Sequence, residues 1–134
     1  MAGAAAPDKR PLSPHLQVWR WHVTMAGSIL HRVTGVGLYL GLVCLVIWLA
    51  ALAAGQDVYA PVDALLQSWL GQAGLYLLVA TIAYHAANGV RHLVWDAGAH
   101  LVPKHANISG WAAIAFAFVA PAALWAWLNF GAQA

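Results

Sequence analysis

Residues 33–56 read VTGVGLYLGLVCLVIWLAALAAGQ, with no Asp, Glu, Lys or Arg between Arg32 and Asp57. A helix needs about 20 apolar residues to cross the hydrocarbon core of a bilayer, and this run exceeds that length. Two further stretches without these charges follow, one between Asp63 and Arg91 and one after Lys104. None alternates apolar and polar residues as a barrel strand does. A backbone in lipid must satisfy its own polar groups, so all three stretches are expected as helices. The spans are placed at about 24–54, 66–97 and 108–130, behind an N-terminal tail of residues 1–23. Pro121 lacks a backbone donor and is expected to kink the third span. The fold class that follows is an all-α membrane protein with three transmembrane helices.

Composition agrees. Only 7% of the 134 residues are charged, against about a quarter in an ordinary soluble domain. So few charges cannot cover a water-facing surface. The eight Trp suit membrane interfaces and flat cofactors. The net charge of +2 forms no basic patch, which argues against a nucleic-acid partner. Cys44 stands alone in an apolar run, so the chain offers no internal disulfide and no cysteine metal site. Internal repeats and a soluble domain are both lacking, and three helices make a small bundle, so membrane partners are expected.

Lys and Arg set the expected orientation. The connector from Gly55 to Asp63 has neither, whereas the tail holds Lys9, Arg10 and Arg20 and the second connector region holds Arg91 and Lys104. The positive-inside rule then puts the N-terminus and the second connector in the cytoplasm, or on the matrix side, and the C-terminus outside. Residues 1–14 contain no apolar signal core and are too poor in Arg and Ser for a transit peptide. A multi-pass protein of a bacterial inner membrane is therefore expected.

Polar residues at membrane depth are costly and mark function. One group is Ser28, His31 and Arg32 at the start of span one; their spacing puts them on neighbouring positions of one helix face. The other is Tyr84-His85-Ala86-Ala87-Asn88-Gly89-Val90-Arg91-His92-Leu93-Val94-Trp95-Asp96 at the end of span two. There His85 and His92 lie two helical turns apart, about 10 Å along the axis. Span one runs outward and span two returns, so His31, Arg32, His85, Arg91, His92 and Asp96 can converge at one membrane edge, with His85 roughly 9 Å deeper than Arg91. A neutral imidazole in an apolar bundle suits haem iron, and the cationic groups suit haem propionates. Gly89, one turn from His85, removes a side chain where a macrocycle would lie. The other six histidines look shallow or lie in loops, so a second axial ligand would have to come from another chain. Read from the residues alone, His85 also fits a hydrogen-bonded structural role. Lys104, His100 and His105 fit simple interface anchoring.

Arg10-Pro11-Leu12-Ser13-Pro14-His15-Leu16, Ser28-Ile29-Leu30-His31-Arg32-Val33-Thr34-Gly35 and the block from Tyr84 to Asp96 resemble, in order and spacing, the cytochrome b556 subunits of succinate dehydrogenase. The resemblance runs from about Arg10 to Gly98, and Trp19 stands where the family pattern has Tyr. It implies an anchor forming half of a haem-binding bundle with a second membrane anchor subunit. His85 would be the axial ligand of haem b, with His31, His92 and Arg91 near the cofactor. Ser28, Arg32 and Asp96 would line a ubiquinone site. It further implies a flavoprotein subunit that oxidises succinate and an iron–sulfur subunit that passes electrons inward; this chain has no dinucleotide fingerprint and no cysteine cluster. The chain would thus belong to an enzyme without binding succinate itself. A purely structural anchor for a soluble dehydrogenase or fumarate reductase is the alternative, and a small His-lined channel a remote third.

Overall fold

A computed structural model describes residues 19–131, which are helical apart from short connections. The elements are α1 (Val23–Ala54), α2 (Gln56–Gln67), α3 (Trp69–Asp96), α4 (Pro103–Ala126) and a closing π-helical turn, Trp127–Gly131. Three helical units among the described residues are long and apolar enough to cross a membrane: Val23–Ala54, Trp69–Asp96 and Pro103–Gly131. The segment from Arg10 to Leu16 and the tail residue Lys9 lie outside the described residues.

Local chemistry sets the boundaries. Gly55, at φ 102°, separates α1 from α2. The connector after it is itself helical: Val58, Val62, Leu65 and Leu66 recur at helical spacing, and Asp57 in the first turn favours the helix N-terminus. Tyr59 donates to Asp63 Oδ1 one turn on, at 3.2 Å. Ser68 then ends α2 and caps α3. Its Oγ accepts from the Gly71 amide at 3.1 Å and donates to the Leu65 carbonyl at 2.6 Å. The second span therefore starts at Trp69, three residues later than its apolar run. Its far end is closed by Gly98 in the left-handed region, φ 77°. The Gly98 amide donates to Trp95 O at 2.8 Å and the Ala99 amide to Val94 O at 3.1 Å. This paired arrangement satisfies the last carbonyls of a helix and stops it sharply. Pro103 opens α4 in its first turn, where a missing amide costs nothing, so the third helix starts five residues before Ile108. It runs unbroken through the buried Pro121 and changes pitch only at Trp127.

Small residues decide how the helices pack. Along α4, Ala106, Gly110, Ala113, Ala117 and Pro121 form the buried stripe, and Tyr84 of α3 packs with Ala113 and Ala117. Without a hydrophobic driving force between helices in lipid, such close van der Waals approach is the main source of association. α1 and α3 run antiparallel along a glycine seam. A Cβ on Gly27 would lie 3.4 Å from the Tyr84 hydroxyl, one on Gly37 3.3 Å from Thr81 Cγ2, and one on Gly41 would collide with Leu78. The start of α1 and the end of α3 thus meet at one end of the bundle. Large apolar residues such as Val36, Val43, Ile47, Phe118 and Trp125 point outward, as a lipid-facing surface requires.

Gly110 sits where all three long helices meet, and a Cβ there would stand 3.4 Å from Val23 Cγ2 and 3.5 Å from Arg91 Nη2. Gly110→Leu should destabilise the bundle by about 1–3 kcal/mol through overpacking, seen as a lower thermal midpoint in detergent. Gly74→Ala places its Cβ in open space and should leave the midpoint unchanged or raise it, since Ala gains about 0.5–1 kcal/mol over Gly within a helix.

Candidate functional site

At the shared end of α1 and α3, three histidines form one cluster. The His31 and His85 rings stack at 3.9 Å with an interplanar angle of 15°. His92, two turns along α3 from His85, tilts against His31 at 5.3 Å and meets the Trp95 edge at 5.1 Å. All three are half-buried. His85 is held from α1 by two adjacent residues. Thr34 Oγ1 lies 3.1 Å from His85 Nδ1, and Gly35 clears the space beside the ring, where a Cβ would stand 3.4 Å from Cε1. His85 Nε2 makes no hydrogen bond among the described residues, and a Cβ on Gly89, one turn along, would meet only open space. His31 Nδ1 is buried without a partner. A free imidazole nitrogen, an open approach beside it and an orphaned polar atom are what a ring-shaped ligand with polar arms would use.

Arg91 is directed elsewhere. Only 6% exposed, it donates from Nε to Ser109 Oγ, from Nη1 to Asn88 Oδ1 and from Nη2 to the Ala106 carbonyl, each at 2.9 Å. Its guanidinium also lies 4.0 Å over the Trp95 ring, a favourable cation–π arrangement. The planar fork thereby stitches α3 to the first turns of α4. The sequence grouped Arg91 with the histidines as a cation for an anionic ligand. In the structure three of its five N–H donors go to neutral acceptors on α3 and α4, and Trp95 links it to the cluster. Tyr84 makes a similar link toward α1, donating to the Gly27 carbonyl at 2.9 Å.

The remaining expected residues flank the cluster. Ser28 is half-buried one turn before His31, and Arg32 and Asp96 are exposed. Among the described residues none of the three forms a side-chain hydrogen bond. His100 in the second connector and His105 in the first turn of α4 pack edge to face at 5.3 Å. The sequence reading missed Thr34, Asn88 and Ser109. For Thr34 a signal existed: its hydroxyl follows His31 by three residues and so shares its helix face. Ser109 offered none, because its partner depends on where α4 docks. A cavity of about 460 Å³ lies toward the other end, between α1, the end of α2 and the start of α3. Its lining of Gly41, Cys44, Leu66, Leu70 and Leu78 supplies almost no polar groups, so it does not compete as the site of chemistry.

The model of a family described as succinate dehydrogenase/fumarate reductase transmembrane subunit matches residues 6–124. The succinate dehydrogenase cytochrome b556 subunit of Paracoccus denitrificans is 41% identical over 106 residues, covering 79% of this chain and 82% of the relative. That of Rickettsia prowazekii is 33% identical over 118 residues, covering 88% and 92%. The mitochondrial cytochrome b560 subunit of Sus scrofa is 36% identical over 107 residues, covering 77% of this chain and 62% of the relative.

Removing the Arg91 fork should weaken the bundle rather than the cluster directly. Arg91→Met strands Asn88 Oδ1 and Ser109 and should cost about 1–3 kcal/mol. Arg91→Lys should recover little, because a point charge cannot make the fork. Thermal midpoints of the detergent-purified protein check this; equal midpoints for all three proteins would remove the stitching role.

Proposed function

The chain belongs to the succinate dehydrogenase/fumarate reductase transmembrane-subunit family, and from that premise we propose that it anchors a succinate dehydrogenase, holds haem b through His85 and serves electron delivery to ubiquinone. The observation that carries this reading is the half-buried His85, fixed from α1 at Nδ1 and unbonded at Nε2. His85 Nε2 is the nitrogen that would bind the iron, and one turn along Gly89 presents open space to a bulky ligand. When bound, haem b supplies a one-electron redox centre within the low-dielectric interior. His31 and His92 would hydrogen-bond its propionates; the unpartnered His31 Nδ1 supports this. Arg91 contributes by holding α3 against α4. A further ligand to the haem would come from a second membrane anchor subunit.

Ser28 and Arg32 would hold the quinone. The exposed guanidinium of Arg32 offers donors to a quinone oxygen that gains negative charge on reduction, and the Ser28 hydroxyl adds another. At the edge of an apolar bundle such fixed donors act more strongly than in water. Asp96, exposed at the same end, would be the polar group on the α3 side. An iron–sulfur subunit with its flavoprotein partner would dock at this end. By the Lys and Arg distribution it is the cytoplasmic end, in a bacterial inner membrane.

The test is to purify the complex through a tag on this chain and follow succinate-dependent quinone reduction. Arg32→Leu and Ser28→Ala should keep an assembled complex that still reduces an artificial dye acceptor. Quinone reduction should fall, by about 10²-fold or more for Arg32→Leu. Full quinone activity in both variants would leave only a structural anchor. His85→Ala should abolish the b-type absorption band, and an unchanged spectrum would refute the ligand assignment.

A further inference from the structure

We propose that Thr34 is a positioning residue for His85, accepting the Nδ1–H so that the ring is held in the tautomer whose Nε2 carries the lone pair. The inference rests on the reading of His85 as the haem ligand. It follows from where the single hydroxyl proton of Thr34 can go. Thr34 Oγ1 stands 2.9 Å from the Leu30 carbonyl and 2.9 Å from the His31 carbonyl. Carbonyl oxygens only accept, so the hydroxyl donates to this pair in a shared bond. Threonine in a helix commonly bonds back to these i−3 and i−4 carbonyls, and its branched Cβ limits the alternatives. With the proton committed there, Oγ1 presents lone pairs to His85 Nδ1 at 3.1 Å. A protonated Nδ1 completes a hydrogen bond, whereas a bare Nδ1 would set lone pair against lone pair. Thr34 is only 8% exposed, so water does not relieve that conflict.

Ligand imidazoles that donate their other N–H to an acceptor have a fixed orientation and greater basicity at the coordinating nitrogen. Thr34 would thus bind the ring at Nδ1 while Gly35 makes room for Cε1. The hydroxyl reaches His85 only because α1 and α3 pack this closely, which makes ligand chemistry depend on the helix seam.

The experiment is a redox titration of the haem in the purified complex carrying Thr34→Val, Thr34→Ser or His85→Ala. Valine preserves shape but removes the acceptor, so the midpoint potential should rise as the ferric form loses an electron-rich ligand. Serine keeps the hydroxyl and should titrate like the unsubstituted complex. Thr34→Ala, which cannot clash, replaces valine should that variant fail to assemble, with the same upward shift expected. Equal shifts in the serine and valine variants would mean packing rather than hydrogen bonding and would overturn the proposal. If His85→Ala loses haem while Thr34→Val keeps the original potential, the Thr34 role falls alone. If His85→Ala retains haem, the ligand assignment falls and takes the Thr34 role with it.

Discussion

Helices α1 and α3 lie close together because four glycines of α1 line their contact. Gly27, Gly35, Gly37 and Gly41 of α1 face Tyr84, His85, Thr81 and Leu78 of α3. A Cβ would collide with Leu78 at Gly41 and crowd Thr81 at Gly37, and at Gly27 and Gly35 it would fill the contact with Tyr84 and His85. The separation of the two backbones follows from that, and the stacked imidazoles, the Thr34–His85 contact and the Tyr84–Gly27 bond all need that separation. Widening the seam by the thickness of a methyl group would break the hydrogen bonds first, since they tolerate only a few tenths of an ångström.

Polar groups inside an apolar bundle must find partners, because each one left alone costs free energy. Here Thr34, Tyr84, Arg91 and Ser109 satisfy one another or reach backbone carbonyls. The two buried side-chain atoms without partners among the described residues are His31 Nδ1 and Asn88 Nδ2. Asn88 spends its oxygen on Arg91 and stands with the α3–α4 stitch. His31 belongs to the cluster, and its spare nitrogen is the feature of that cluster which the chain's own contacts do not explain. Two polar systems thus sit back to back on α3: one turned to α4 that makes the bundle rigid, and one turned to α1 that is left partly open.

The outer surface of α1 fits a chain that is one part of a larger bundle. Only Gly27, Thr34 and Ala51 of its 32 residues are buried, so most of its apolar side chains face lipid or another subunit. His85 is half-buried rather than enclosed. Half of a cofactor site on one chain and half on another would leave each exposed in isolation and covered in the complex.

Much of this could be read from residue order. The three charge-free runs required helices, since no other backbone form satisfies itself in lipid, and two opposed spans required His31, His85 and His92 to share an end. Charges and breakers were less informative about boundaries. Ser68, Gly98 and Pro103 moved helix ends by a few residues through capping geometry that hydropathy does not register. The short helix α2 was signalled by Val58, Val62 and Leu65 but hidden within a connector read only for its charges. The direction in which Arg91 points, and the pairing of Thr34 with His85, belonged to tertiary structure. Both are contacts between helices, set by rotation about the helix axis and by interhelical distance, and neither quantity is encoded in the spacing of residues along one chain segment. Residue order dictates which polar residues enter the membrane and at which end of the bundle they gather. The packing of α1 and α4 onto α3 dictates which of them hold the helices together and which remain free for chemistry.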